Sequence, residues 1–228
     1  MDIDVHHPKL QRNRTMKKLF VFGGTGHIGQ GLVREANSRG YTVVAAARDL
    51  ASVPDIDGVT WQAVDASNPE SVKAAVQGSV AVLASVSGRK SGHDSVPAIA
   101  GLLLDVLPEA DVQRLLWVGG AGTLEVAPGL QVIDTPDFPA EWKPEAQAQG
   151  EALAVFRDSR SSVNWTYFSP AALIEPGERT ARYRVGDDDR LLVDGEGNSR
   201  ISIEDFAVAL IDEIDLVRYP RKRVNIAY

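Results

Sequence analysis

Residues 23–29 read Gly-Gly-Thr-Gly-His-Ile-Gly, and they follow directly on the apolar run "LFVF" at 19–22. Four glycines thus stand where a helical pattern is about to begin, although glycine is among the least helix-favouring residues. The spacing G-x-G-x-x-G between a strand and a helix fits the diphosphate of a dinucleotide. Gly23 and Gly24 permit a tight turn. Gly26 lets the backbone approach the diphosphate with no Cβ in the way, and Gly29 lets the helix pack close to the strand. Thr25, His27 and Ile28 complete the turn, and the helix start offers unpaired N–H groups and the positive end of its dipole. The alternative is a tight turn that holds no ligand.

The remaining candidates fall at the carboxyl ends of the other strands, where open α/β sheets bind their ligands. The second strand ends "AAARD". Arg48 there suits a ribose 2′-phosphate through paired N–H donors, which favours NADP and leaves NAD open. Asp65 and Ala66 follow the third strand and can meet the adenine, or can cap a helix. Ser85, Val86, Ser87, Gly119, Gly120, Ser169 and Pro170 are expected along the nicotinamide half. Three groups could give a proton: Ser87, His93 and Tyr167. Phe138 and Trp142 could stack on a flat acceptor. The residues suggest no metal site.

These residues need a scaffold that puts strand ends side by side, and the chain alternates accordingly. Strands are expected at 19–22, 41–47, 59–64, 80–86, 112–118 and 163–169, with helices at 27–39, from Pro69, at 95–107 and at 144–159. Such alternation forms right-handed crossovers and a parallel sheet. The fold class is therefore α/β, a Rossmann-type doubly wound parallel sheet. Residues 180–185 and 190–194 flank "GDDD" and suggest a hairpin, and 201–214 reads as a helix capped by Ser202. Residues 170–228 are expected as a small lobe on the substrate side of a single domain spanning 18–228.

The chain has 228 residues, 44% hydrophobic and 24% charged, with net charge −7 and no cysteine. An acidic balance argues against a nucleic-acid partner. Without cysteine there is no disulfide and no thiolate chemistry. The sequence holds no run approaching the ~20 apolar residues that span a bilayer, so no membrane partner is expected. Residues 1–17 read as a flexible polar tail, with His6 and His7 as a pair that could touch a metal, and lack the apolar core of a secretory signal. The expectation is a cytoplasmic protein, monomer or homodimer, acting on a small molecule.

From about Lys18 to Val217 the chain resembles the atypical short-chain dehydrogenase/reductase superfamily. More narrowly, it is similar to the NAD(P)H-binding, NmrA-like group of NADH-flavin reductases related to biliverdin IXβ/flavin reductase. The resemblance rests on "GGTGHIG", "RLLWVGGAGTLEV", "DTPDFPAEWKPEAQAQGEAL", "NWTYFSPAALIEPGERTARYR" and "SRISIEDFAVALIDEI". Most of the superfamily uses a Ser after the fifth strand with a Tyr-x-x-x-Lys pair. Here the Ser position falls in Gly119-Gly120, the Tyr position near Trp142, and the Lys position at Ala146. The resemblance therefore implies an NAD(P)H-dependent reductase that passes hydride to a flat conjugated acceptor (a flavin such as FMN or riboflavin, or a quinone) without that triad. The alternative is a non-catalytic NADP(H)-binding redox sensor, and a third reading is an NAD(P)-dependent epimerase or dehydratase.

Overall fold

The computed structural model describes residues 17–89 and 91–228; the expected tail up to residue 16, with His6 and His7, lies outside the described residues. Twelve strands are described: β1 Lys18–Phe22, β2 Thr42–Ala47, β3 Val59–Ala63, β4 Ser79–Ala84, β5 Arg114–Val118, β6 Glu125–Ala127, β7 Leu130–Gln131, β8 Asn164–Pro170, β9 Leu173–Glu175, β10 Arg184–Gly186, β11 Arg200–Ser202 and β12 Lys222–Ala227. Five helices accompany them: α1 His27–Ser38, α2 Pro69–Val76, α3 Ser95–Glu109, α4 Lys143–Asp158 and α5 Ile203–Leu216. Eight strands form one sheet in the order β3-β2-β1-β4-β5-β8-β12-β10. All its pairings are parallel except β10 against β12.

The strand sequences explain the two layers of helices. Successive side chains of a strand point to opposite faces. In β1, Phe20 and Phe22 enter a core shared with α2, α3 and α4, while Leu19 and Val21 enter one shared with α1 and α5. Trp117, Phe156, Trp165 and Tyr167 continue the first core, and Phe168 and Phe206 meet edge to face in the second. Helix starts are fixed locally. Asn68 accepts N–H bonds from Glu70 and Ser71 ahead of α2, with Pro69 at its first position. Ser202 accepts one from Asp205 ahead of α5. Such caps contribute about 1 kcal/mol each.

The expected hairpin is not formed. Arg184–Gly186 pairs instead with β12, matching Val185 to Ile226. That strand, unmarked in the reading of the sequence, runs parallel to β8 and buries Val224 and Ile226. Residues 190–194 form no strand with it; Arg190 makes an isolated bridge to Glu125, and Leu192 N–H donates to Asn225 Oδ1. Burial against β8 wins over local pairing across the acidic turn. Within 170–228, β9 and β11 make a small two-stranded sheet, whereas β10, β12 and α5 belong to the main body. Among the described residues no helix is long and apolar enough to cross a membrane.

Candidate functional site

The glycine turn is built by contacts that exclude side chains. Gly23 has φ +72°, and a Cβ on it would lie 2.0 Å from Ser85 O. One on Gly29 would lie 2.0 Å from Gly23 O. These two residues are glycine because backbone occupies the space. Gly26 differs: its Cβ would meet Gly23 O at 3.4 Å, with nothing closer. Its extended backbone caps α1 without a side-chain hydrogen bond, and the first turn of α1 carries no acidic residue. Thr25, Gly26 and His27 are exposed there. Uncapped N–H groups beside open space are what a diphosphate needs.

The sheet order places β1 and β4 side by side where the order of the strands reverses, which is the switch point where such sheets bind ligands. Ser85 follows β4, and its N–H donates to Phe22 O at 3.0 Å. The glycine turn and Ser85–Gly88 are therefore neighbours, the two lips of the expected binding crevice. Val86, half-buried, and Ser87, exposed, lie on the second lip. Ser87 Oγ accepts the N–H of Arg89, so this hydroxyl shapes its own turn.

Helix α4 pins that lip through two residues the sequence reading missed. Gln149 Nε2 donates to Val86 O at 2.9 Å and to Glu145 Oε1 at 3.2 Å, while its Oε1 accepts Trp117 Nε1–H at 3.1 Å. Glu145 Oε2 accepts the Gly88 N–H at 3.0 Å and lies 3.6 Å from His93 Nε2. A Cβ on Gly88 would fall 2.5 Å from His93 Cα, so the loop closes tightly on this histidine. The signal was present in the sequence: Gln149 lies on the buried face of α4 among Ala146, Ala148 and Ala152. A polar side chain on such a face needs partners.

Gly119, Trp142 and Ala146, singled out in the sequence, are packed as follows. A Cβ on Gly119 would lie 2.0 Å from Tyr167 Cε1 and Cζ, because the phenol ring occupies that space. A Cβ on Gly122 would lie 2.7 Å from Ala146 Cβ, so α4 packs closely on Gly122. Trp142 is half exposed, and its ring lies edge-on to Phe138 with centroids 6.5 Å apart.

Tyr167, expected as a proton donor, is fully buried, and its hydroxyl donates to Gln149 O at 2.8 Å. Burial pushes the phenol well above its usual range, so it keeps its proton. Ser169 and Pro170 are also turned inward. Ser169 Oγ accepts Arg223 Nε–H at 2.9 Å, and both backbone carbonyls accept from Asn225 Nδ2. They support the sheet and do not present side chains to a ligand. Arg48 is exposed immediately after β2, beside Asp49, which caps the short turn at Leu50–Ser52. Asp65 is exposed; the Ser67 hydroxyl and N–H hold its carboxyl below the usual carboxylate range, the role of a turn former ahead of α2. Ala66 is half-buried beside it, and Gly120 is half-buried next to Gln149.

A family model described as NAD(P)H-binding matches residues 23–214, from the glycine turn to the end of α5. The chain belongs to the NAD(P)H-binding family. The uncharacterized protein YwnB of Bacillus subtilis is 33% identical over 214 residues, which is 92% of this chain and 97% of that protein. A "putative exported protein" of Burkholderia pseudomallei is 42% identical with a TM-score of 0.83, covering 93% of this chain and all of that one. The "putative NADH-flavin reductase" SP1627 of Streptococcus pneumoniae is 30% identical with a TM-score of 0.79, covering 92% and 99%. Membership agrees with the crevice: the open Gly26 face and the uncapped α1 start fit the diphosphate of this cofactor class.

Proposed function

We propose that this NAD(P)H-binding protein is a reductase that delivers hydride, with NADPH as the preferred donor, to a flat conjugated acceptor such as FMN, riboflavin or a quinone. The observation that carries the reading is the occupied triad position. With Tyr167 buried against Gly119 and Ala146 packed against Gly122, this reading gives Tyr167 no part in alcohol or sugar chemistry. Reduction of a conjugated ring needs chiefly that two flat rings be held face to face. The reduced nicotinamide supplies the hydride when bound. The protein's share is positional. Gly23–Gly29 and the start of α1 take the diphosphate, Arg48 takes the 2′-phosphate, and Ser85–Ser87 with Gly119 and Gly120 border the ring. On this reading Trp142, half exposed, stacks on the acceptor with Phe138 edge-on behind it, and His93, part-exposed next to Gly88, supplies a proton. The relative SP1627 bears a flavin-reductase name, which supports the acceptor class.

The same packing suits a non-catalytic sensor, which would bind NADP(H) and stop there. One assay separates the two. Purified protein is titrated with NADPH and NADH, and loss of dihydronicotinamide absorbance is followed with each acceptor. Acceptor-dependent oxidation is the result for a reductase, and tight binding with no oxidation is the result for a sensor.

A further inference from the structure

The carboxylate of Glu145 has no role in cofactor binding on the reading above, yet it is held from three directions. Gly88 N–H reaches Oε2 at 3.0 Å, Gln149 Nε2 reaches Oε1 at 3.2 Å, and His93 Nε2 stands 3.6 Å from Oε2. Gln149 is itself locked between Val86 O and Trp117 Nε1, and Trp117 is fully buried. A chain of contacts thus runs from the core, through Gln149 and Glu145, to an imidazole at the mouth of the crevice. His93 is 38% exposed in its side chain and Glu145 17%, so the histidine faces outward while its partner does not. Among the described residues, Glu145 is the charged group recorded against the His93 ring.

We infer that Glu145 is a positioning residue for His93, and that the two form an acid unit that protonates the acceptor as it is reduced. Glu145 faces Nε2, which leaves Nδ1 for the acceptor, and a carboxylate held in this way fixes the orientation of the imidazole. The acceptor gains a hydride from the reduced nicotinamide at its electrophilic atom, and its conjugated π bond is lost. The electron pair released onto its heteroatom forms a bond to the His93 proton as the Nδ1–H bond breaks, and water returns a proton to the ring. Gly88 backs directly on His93, where a Cβ would fall 2.5 Å from its Cα, and this contact holds the histidine's backbone in place.

The inference rests on the reductase reading, and the test separates their failures. Wild type, Glu145→Gln, His93→Gln and the double variant are compared for NADPH oxidation by FMN and by menadione, in H2O and D2O. A general acid contributes ~10²-fold or more. His93→Gln should therefore lower kcat about 100-fold and abolish the slowing in D2O. Glu145→Gln should lower kcat about 10-fold, as expected for a group that orients the acid. The KM for NADPH should stay unchanged, and the second substitution should add nothing once His93 is gone. A second readout needs no turnover: the His93 Cε1–H resonance, read against that of His27, should move in Glu145→Gln. Turnover with an unaltered kcat in Glu145→Gln, or losses that multiply in the double variant, would overturn the inference and leave the reductase reading standing. No turnover by wild type with any acceptor would overturn both.

Discussion

The ring of Tyr167 fills the space that a side chain at Gly119 would occupy: a Cβ there would stand 2.0 Å from Cε1 and Cζ and 2.3 Å from the hydroxyl. The two residues lie on neighbouring strands, Gly119 just after β5 and Tyr167 within β8, and Gly119 N–H donates to Phe168 O at 2.8 Å. Backbone pairing fixes their distance, so neither can yield to the other. The glycine at 119 and the buried tyrosine at 167 are one packing unit.

Gly119→Ser should therefore not restore triad chemistry. It should destabilise the fold by about 3 kcal/mol, at the upper end of the overpacking range. Tyr167→Phe should cost only about 1 kcal/mol, the loss of a buried hydrogen bond to Gln149 O, and should leave NADPH oxidation intact. Urea unfolding with turnover measured on the same samples checks both.

Gly26→Ala isolates the cofactor's space from the protein's own. Its Cβ meets nothing nearer than 3.4 Å, and its backbone, at φ −75° and ψ 166°, is open to any residue. The thermal midpoint should stay put while NADPH affinity falls at least ~10-fold, since a methyl group enters the diphosphate's place. Equal affinity in the variant would remove the diphosphate from this turn.

Arg48→Ala should raise the Kd for NADPH about 10-fold, the loss of a charge-assisted contact to the 2′-phosphate. The Kd for NADH should be unmoved. Fluorescence titration of the two cofactors is sufficient, and equal losses would make Arg48 a general surface charge.

Stability in acid should depend on Glu35, which is buried on α1. Burial works to raise its pKa, but Arg179 (2.7 and 2.8 Å) and then Arg39 (2.5 Å) outweigh it and hold the carboxyl below the usual range. A carboxylate whose folded pKa is depressed contributes its stability above the unfolded value of ~4.3 and loses it as pH falls through the folded value. Glu35→Gln should cost ~2 kcal/mol at neutral pH, and the gap to wild type should close as pH falls below ~4. A gap that persists unchanged into acid would mean the charge is not what matters.

The parts legible in the sequence were those set by local backbone needs. The glycine turn, the Pro69 helix start and the Ser202 cap each require particular residues at neighbouring positions, and the structure has them there. Strand β12 and the pairing of Arg184–Gly186 with it were hidden, because "VNIA" acquires its meaning only against β8. Tyr167 looked like a proton donor because a sequence displays a hydroxyl and not its burial. Glu145 and Gln149 were passed over for the opposite reason: their partners Val86, Gly88, His93 and Trp117 lie far away in the chain and meet only after folding.

Hydride transfer from NADPH to a conjugated acceptor is the step on which the proposed reductase stands or falls. Purified protein is mixed with NADPH and, separately, FMN, riboflavin and menadione, and the loss of dihydronicotinamide absorbance is followed. A reductase gives oxidation that depends on acceptor and saturates in both substrates. Saturable NADPH binding with no oxidation above the enzyme-free rate for any of the three acceptors rules the reductase out.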